Sequence, residues 1–475
     1  MMFVYLWTDV LVWLLVAAIA GYFVYVRCQP HLLVPWRRVT QSAYGMSALV
    51  VLVAFVAIGL VDSIHYRPAL ESKAGQGTAY STEVLSVFDA VASPLRDRRE
   101  RTYSAPFATR AYARETLEIP GPDGKVRQVR EFPRLTWGGA HLKDEAGRTQ
   151  DVFGRAVLGM ALAALAWLAL AGAVARRRAH MSKQRLGEAW RAIWRAETRT
   201  PWRAILVTAG ALLALVGPAL TLCAYFHLLG TDKVGRDVLY LALKSIRTGL
   251  VIGTLTTLVM MPFAVLLGIM AGYFRGWIDD LIQYLYTTVN SIPGVLLIAA
   301  AILLVQVQLD QHPEFFQTTA QRADLRLLCL CAILGLTSWT GLARLLRGES
   351  LKLRELEYIQ AAQAFGVRHL SIITRHILPN VMHIVLISLV MDFSGLVLAE
   401  AVLSYVGVGV DPSMISFGTM INAARLEMSR EPIVWWSLAA AFVFMFALVL
   451  SANLFADAVR DAFDPRVRVG AMAAA

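Results

Sequence analysis

The chain reads as an all-α, polytopic membrane protein of about nine transmembrane helices, and three observations predict this class. Of 475 residues, 57% are hydrophobic and only 17% are charged, against about 45–50% and about 25% in soluble domains. Mean hydropathy is +0.55. The apolar residues gather into runs near 3–26, 42–64, 152–175, 204–226, 246–272, 282–306, 326–346, 381–408 and 434–456, each close to the roughly 20 residues that cross a bilayer. The basic excess is 45 Lys+Arg against 34 Asp+Glu, formally +11, and it is dispersed over loops that flank these runs. A nucleic-acid partner needs a gathered basic patch, so the distribution argues for a cytoplasmic rim instead.

The first two runs form an N-terminal unit, 1–64. The first lacks a basic leader, and its apolar character continues past Ala18-Ile19-Ala20, so it reads as a retained helix and not a cleaved signal. Arg27, Arg37 and Arg38 follow it, which predicts an external N-terminus. Segment 65–150 is a polar insert with 14 Lys/Arg and 11 Asp/Glu. Loops beyond about 60 residues translocate with little regard to charge, so this one is expected outside, as an extracytoplasmic subdomain. Alternation over Glu115–Val129 predicts a hairpin, and Gly121-Pro122-Asp123-Gly124 a turn. The run Arg96-Asp97-Arg98-Arg99-Glu100-Arg101 reads as a solvated helix face.

The third span, 151–180, ends in Arg176-Arg177-Arg178, and Lys183, Arg185, Arg191, Arg195, Arg199 and Arg203 follow against only Glu188 and Glu197. This is the strongest cytoplasmic signal in the chain. Within 181–203, Leu186, Trp190, Ile193 and Trp194 recur at helical spacing. They predict an amphipathic helix lying in the membrane interface, a contact with lipid. The remaining six spans fill 204–466, with a basic loop at 347–380 on the same side and a short tail, 467–475. This topology predicts a cytoplasmic C-terminus. The four cysteines, Cys28, Cys223, Cys329 and Cys331, lie in or beside apolar runs without metal-ligand spacing, and read as small apolar side chains.

An ionisable group at the centre of a span costs at least about 2.5–3.5 kcal/mol. The eighth span carries Asp392 and Glu400. Eight residues at about 100° each leave them about 80° apart, on one broad face, which predicts that both line a substrate route. Lys244 and Arg247 near the outer end of the fifth span read as snorkelling anchors.

The loop Glu355-Leu356-Glu357-Tyr358-Ile359-Gln360-Ala361-Ala362-Gln363-Ala364-Phe365-Gly366 opens with good helix formers and ends on glycine, a helix followed by its C-terminal cap. Leu370, Ile373 and Ile377 predict a second short helix, and Leu378-Pro379 opens the next span, a position proline tolerates. Ala361 and Ala362 leave the first helix bare enough for another protein to approach.

This loop resembles the Glu-Ala-Ala loop of ABC-transporter permeases. Ala361, Ala362, Gly366, Leu378 and Pro379 stand at that family's spacing, while Gln360 replaces its glutamate and His376 its isoleucine. Four further stretches resemble the dipeptide/oligopeptide branch: Leu229-Gly230-Thr231-Asp232 with Gly235-Arg236-Asp237, Gly268 to Phe274, Glu400 to Gly409, and Asp461 to Arg466. Together they cover roughly 190–466, leaving 1–180 outside the common pattern. The resemblance implies a type I ABC importer permease core of six spans. It implies a coupling helix around Glu357, Tyr358 and Gln360 that seats in a separate ATP-binding subunit. It also implies a second permease, two ATP-binding subunits and an extracytoplasmic binding protein, in a bacterial inner membrane. Peptides are the implied substrate, with nickel complexes or peptide antibiotics as alternatives.

No GxxxxGK[ST] phosphate loop occurs in the chain. ATP and Mg are therefore expected on partner subunits, with no cofactor bound here. A secondary transporter would show broken helices and repeat symmetry, and neither is visible. An enzyme would need clustered catalytic side chains, whereas the nine histidines are scattered.

Overall fold

The computed structural model describes residues 2–70, 80–120, 126–142, 144–316 and 318–463. Among them, nine helical segments are long and apolar enough to cross a membrane, as the runs predict. The turn 121–125, the second half of the Asp461–Arg466 motif and the tail lie outside the described residues.

A short strand β1 (Met2–Val4) leads into α1 (Trp7–Cys28), then α2 (Pro30–Val39) and α3 (Ala43–Asp62). β1 pairs antiparallel with β2 (His65–Arg67), and β2 with β3 (Leu85–Ser86). This small sheet ties the start of the first span to the end of the second. In the insert, Ser86 and Asp89 form a capping box for α4 (Val87–Val91), and α5 (Ser93–Arg96) follows. The expected hairpin is present as β4 (Glu115–Pro120) and β5 (Val126–Glu131), in register from Glu115↔Glu131 to Pro120↔Val126.

α6 (Arg148–Ser182) is far longer than its apolar run, because its arginine-rich end continues the helix. It packs on α8 (Trp202–Cys223) through Gly159 and Gly217, where a Cβ on Gly159 would stand 2.6 Å from the Gly217 carbonyl. Between them α7 (Leu186–Trp194) is amphipathic as predicted, but Ala189 and Ile193 are fully buried against Ala171, Ala175 and Leu206. Of the predicted stripe, Ile193 faces protein, Trp190 and Trp194 are half-buried and Leu186 is exposed. The neighbouring spans are close enough to cover Ile193.

The centre of the transport core is α9 (Val238–Phe274). The run 282–306 is not one span. α10 (Trp277–Ser291) stops before Ile292-Pro293, and α11 (Gly294–Gln311) restarts after it, since proline has no N–H and disfavours helix in the residue before it. α12 (Thr319–Ser338) and α13 (Thr340–Arg354) meet at Trp339. α14 (Glu357–Ala364), α15 (His369–Ile372), α16 (Leu378–Val406), α17 (Phe417–Glu427) and α18 (Trp436–Phe463) complete the chain. The Gly268–Phe274 pattern has a steric cause. A Cβ on Gly268 would lie 2.7 Å from the Ala343 carbonyl, and one on Gly272 2.6 Å from that of Arg347. Small residues spaced by four let α9 and α13 approach backbone to backbone.

Lys244 and Arg247 are not snorkelling anchors. Arg247 is buried; it donates to Asp9 at 2.5 Å and Thr8 at 3.1 Å on α1, and to Ser63 at 3.3 Å. Asp9 also holds His65 at 2.7 Å, and the Thr8 amide donates to Asp324 of α12 at 3.1 Å. Lys244 bonds Asp89 and approaches Asp62 at 3.5 Å. The N-terminal unit is thus joined to the transport core by buried ion pairs. Their acidic halves lie more than 150 residues upstream in sequence.

Candidate coupling loop and insert clamp

α14 lies between the seventh and eighth spans, so it shares a membrane side with the α7 segment between the third and fourth. Ile359 is fully buried beside Leu346, Ile372 and Ile377, and fixes the helix to the core. Glu357, Tyr358, Gln360, Ala361 and Gly366 are exposed, Ala362 and Leu378 half-buried, and Pro379 exposed. Gly366 takes φ +73, and the chain turns there through Gly366 N–H to Gln363 O and Val367 N–H to Ala362 O, both 3.0 Å. This left-handed cap is what glycine permits without strain.

The departures Gln360 and His376 have partners within the chain. Gln360 Nε2 donates to the Glu355 carbonyl at 3.3 Å, and Glu355 also pairs with Arg275. His376 packs on the Tyr358 ring at 5.9 Å, and Asn380 donates to the Tyr358 hydroxyl at 3.2 Å. Below the loop, Arg347 grips Asp279 with two bonds of 2.6 and 2.7 Å, a bidentate pair of the stronger kind. The loop is therefore braced, and its tip presents Ala361, Phe365 (87% exposed) and Leu370 (73% exposed), uncovered among the described residues. The expected second helix is not separate. α15 passes through a wider π turn at Ile373–Ile377 straight into α16. Pro379 has no N–H for the carbonyl behind it, and such turns accommodate that loss.

The Gly230–Asp237 stretch is a clamp between the insert and the core. Gly230 (φ +70) and Gly235 (φ +73) are left-handed, and a Cβ at either would strike the carbonyl of Ser104 or Glu100. Thr231 Oγ1 donates to the Thr102 carbonyl at 2.9 Å and accepts from the Ser104 amide at 2.7 Å. Asp232 closes the turn by accepting from the Val234 and Arg236 amides and from the Arg236 guanidinium at 2.8–2.9 Å. Asp237 caps α9 at the Leu239 amide, 2.8 Å, and holds His227 Nδ1 at 2.7 Å. The other ring nitrogen faces Glu100 at 3.4 Å.

Sequence reasoning missed Glu100, Ser104 and His227. Glu100 stood inside a charge run read as solvated, yet it is buried and accepts the amides of Thr136, Trp137 and Gly138 at 2.7–3.0 Å. Only its position between insert and core reveals it. Beside the clamp, a cavity of about 430 Å³ opens between Tyr103 of the insert and Glu427 of α17.

Burial alone would lower the His227 pKa, but Asp237 and Glu100 outweigh it and raise it from 6.5 to about 9. Burial would raise that of Glu100, but His227 and the three amides bring it from 4.5 down to about 2. A raised histidine stabilises fully below its unfolded value, and the contribution is lost as pH climbs through the folded one; a lowered carboxylate behaves in the opposite sense. The clamp is expected to be tightest between about pH 4.5 and 6.5. Amide hydrogen exchange at residues 136–138, corrected for its intrinsic rate, should show protection falling as pH approaches 9. His227→Gln should abolish that fall. An unchanged pH profile in the variant would disprove the assignment.

The structure separates the two intramembrane carboxylates. Glu400 is enclosed, accepts from Ser404 Oγ at 2.7 Å and Ser416 Oγ at 2.9 Å, and so latches the capped start of α17 onto α16. Asp392 is half-buried, with no hydrogen-bond or ion-pair partner among the described residues. They do not form one lining.

Residues 264–469, which include α14, match the family described as "Binding-protein-dependent transport system inner membrane component". Among curated relatives, a glutathione transport system permease protein of Pectobacterium atrosepticum is 32% identical over 244 residues, 51% of this chain and 73% of the relative. An oligopeptide transport system permease protein of Mycobacterium tuberculosis is 31% identical over 51% of this chain and 77% of its own. A dipeptide transport system permease protein of Bacillus subtilis is 27% identical over 51% and 69%. A solved inward-facing MetNI methionine ABC transporter chain is 16% identical over 47% of this chain and 97% of its own, with a TM-score of 0.36, too loose a superposition to carry an argument. With its spans, its braced loop and these relatives together, the chain belongs to the inner-membrane permeases of ABC importers, in the dipeptide/oligopeptide family.

Proposed function

We propose that this permease carries short peptides inward, driven by ATP-binding subunits that seat on α14. The observation that carries the reading is the braced loop tip, where Ala361 and Phe365 stand uncovered on a helix whose base is anchored by Ile359. A rigid helix with a bare apolar tip can transmit a push without absorbing it. The relatives' names supply the substrate class. The arginine-rich loops favour a cytoplasmic position for α7 and α14, with the insert and the N-terminus outside. A second permease completes the pathway, two subunits bind ATP with Mg, and a binding protein delivers from outside, where the insert is available to receive it. Asp392, a carboxylate without a partner among the described residues, is the pathway candidate for a peptide's ammonium group. Glu400 serves as an internal latch.

Reconstitution tests this reading. Liposomes holding both permeases and the ATP-binding subunits, supplied with binding protein, are expected to accumulate labelled tri- to pentapeptides only with ATP. Uptake by this chain alone without ATP would overturn the mechanism. ATP-driven uptake of nickel complexes with no uptake of peptides would overturn the substrate class.

A further inference from the structure

The membrane extension holds a basic cleft that neither coupling nor translocation uses. It opens where α6 ends and the chain enters α8, with a volume of about 770 Å³. Its lining includes Arg177, Arg178, Met181, Glu197, Arg199 and Trp202. Three guanidiniums thus face one carboxylate. None of the three arginines, nor Glu197, enters an ion pair among the described residues. Arg178 Nε is shut away from water with no hydrogen-bond partner, an arrangement that costs free energy until an acceptor arrives.

We propose that this cleft binds the headgroup of an anionic phospholipid, its phosphate held by Arg177, Arg178 and Arg199. Guanidinium forks match phosphate oxygens in pairs. The position favours a lipid over a soluble anion, because the cleft lies at the ends of two adjacent spans, at headgroup depth. Beside Ser182 and Thr200, its wall carries Ala173, Val174, Met181 and Trp202, an apolar and aromatic side suited to the glycerol and the first acyl carbons. Basic pockets between helices on the cytoplasmic side recognise such headgroups elsewhere. The expectation from sequence placed lipid contact along the α7 stripe. The structure turns Ile193 of that stripe into the protein and leaves the cleft beside it open.

The test is native mass spectrometry of the full chain released from nanodiscs of mixed phosphatidylcholine and phosphatidylglycerol. The wild type is expected to retain phosphatidylglycerol preferentially. Arg178→Gln with Arg199→Gln should weaken that retention about thirty-fold, two cationic contacts' worth. Arg178→Lys with Arg199→Lys, which keeps the charge, should restore most of it and guards against simple misfolding. Equal retention by the glutamine variant, or no preference over phosphatidylcholine in the wild type, overturns the proposal. Displacement of phosphatidylglycerol by millimolar inorganic phosphate would mark a free-anion site and overturn the lipid assignment. Photo-crosslinking phosphatidylglycerol should label peptides within 173–202; labelling confined elsewhere has the same overturning force. The proposal rests on the membrane topology, yet its readout needs no nucleotide, peptide or partner subunit, so it and the transport reading can fail separately.

Discussion

Ala361→Trp is expected to weaken capture of the ATP-binding subunits by about tenfold to a hundredfold, and ATP-driven uptake with it, while leaving the permease folded. Ala361 is exposed on α14. An indole there costs the isolated fold little, since surface substitutions away from special features stay within about 0.5 kcal/mol. In a seated interface the same indole must occupy space the partner fills. Overpacking a fitted contact costs about 1–3 kcal/mol, so capture should weaken by about tenfold to a hundredfold. Co-purification of the ATP-binding subunit reads the effect, and thermal unfolding of the permease alone serves as the control. Ile359→Ala gives the opposite signature. That side chain is fully buried under the loop, and its loss should cost about 2–5 kcal/mol of stability, with capture failing only as the loop loosens. If Ala361→Trp captures the partner as well as the wild type, α14 is not the seat.

The parts of this molecule that were legible in the sequence are those written in local patterns. Span number follows from apolar run length, the β4–β5 hairpin from alternation, and the α14 cap from Gly366 after a run of helix formers. The Gly268–Gly272 spacing was legible as a likeness, though its cause became visible only with the Ala343 and Arg347 carbonyls in place. The unread features depend on partners remote in the chain. Arg247 looks like any arginine near a span end until Asp9, 238 positions earlier, is brought beside it. Glu100 sits among arginines yet turns inward to His227, 127 positions later. Glu400 matched a family pattern, but its neighbours Ser404 and Ser416 satisfy it internally. The break at Pro293 is different. Its signal was local and was outweighed by the apolar character of the residues on both sides.

The same remoteness makes the second large effect specific. Arg247→Met is expected to destabilise the folded permease by about 3–5 kcal/mol, the usual consequence of stranding one charge of a buried pair. The stranded group is the Asp9 carboxylate, which among the described residues keeps its contact with the His65 ring. Asp9→Asn alone should be similarly damaging, because it strands the guanidinium. The double variant Arg247→Met with Asp9→Asn removes both charges and keeps a hydrogen-bonding group beside His65, so it should recover most of the loss. A clearly non-additive cycle is the mark of direct coupling. Thermal unfolding in detergent measures each variant, and limited proteolysis shows whether α1 leaves the core. A damaged double variant, equal to the sum of the singles, would show that the two residues act independently. Recovery would show instead that the N-terminal unit is held to α9 by this pair. A force on the transport core would then be shared with helices that the common permease pattern lacks.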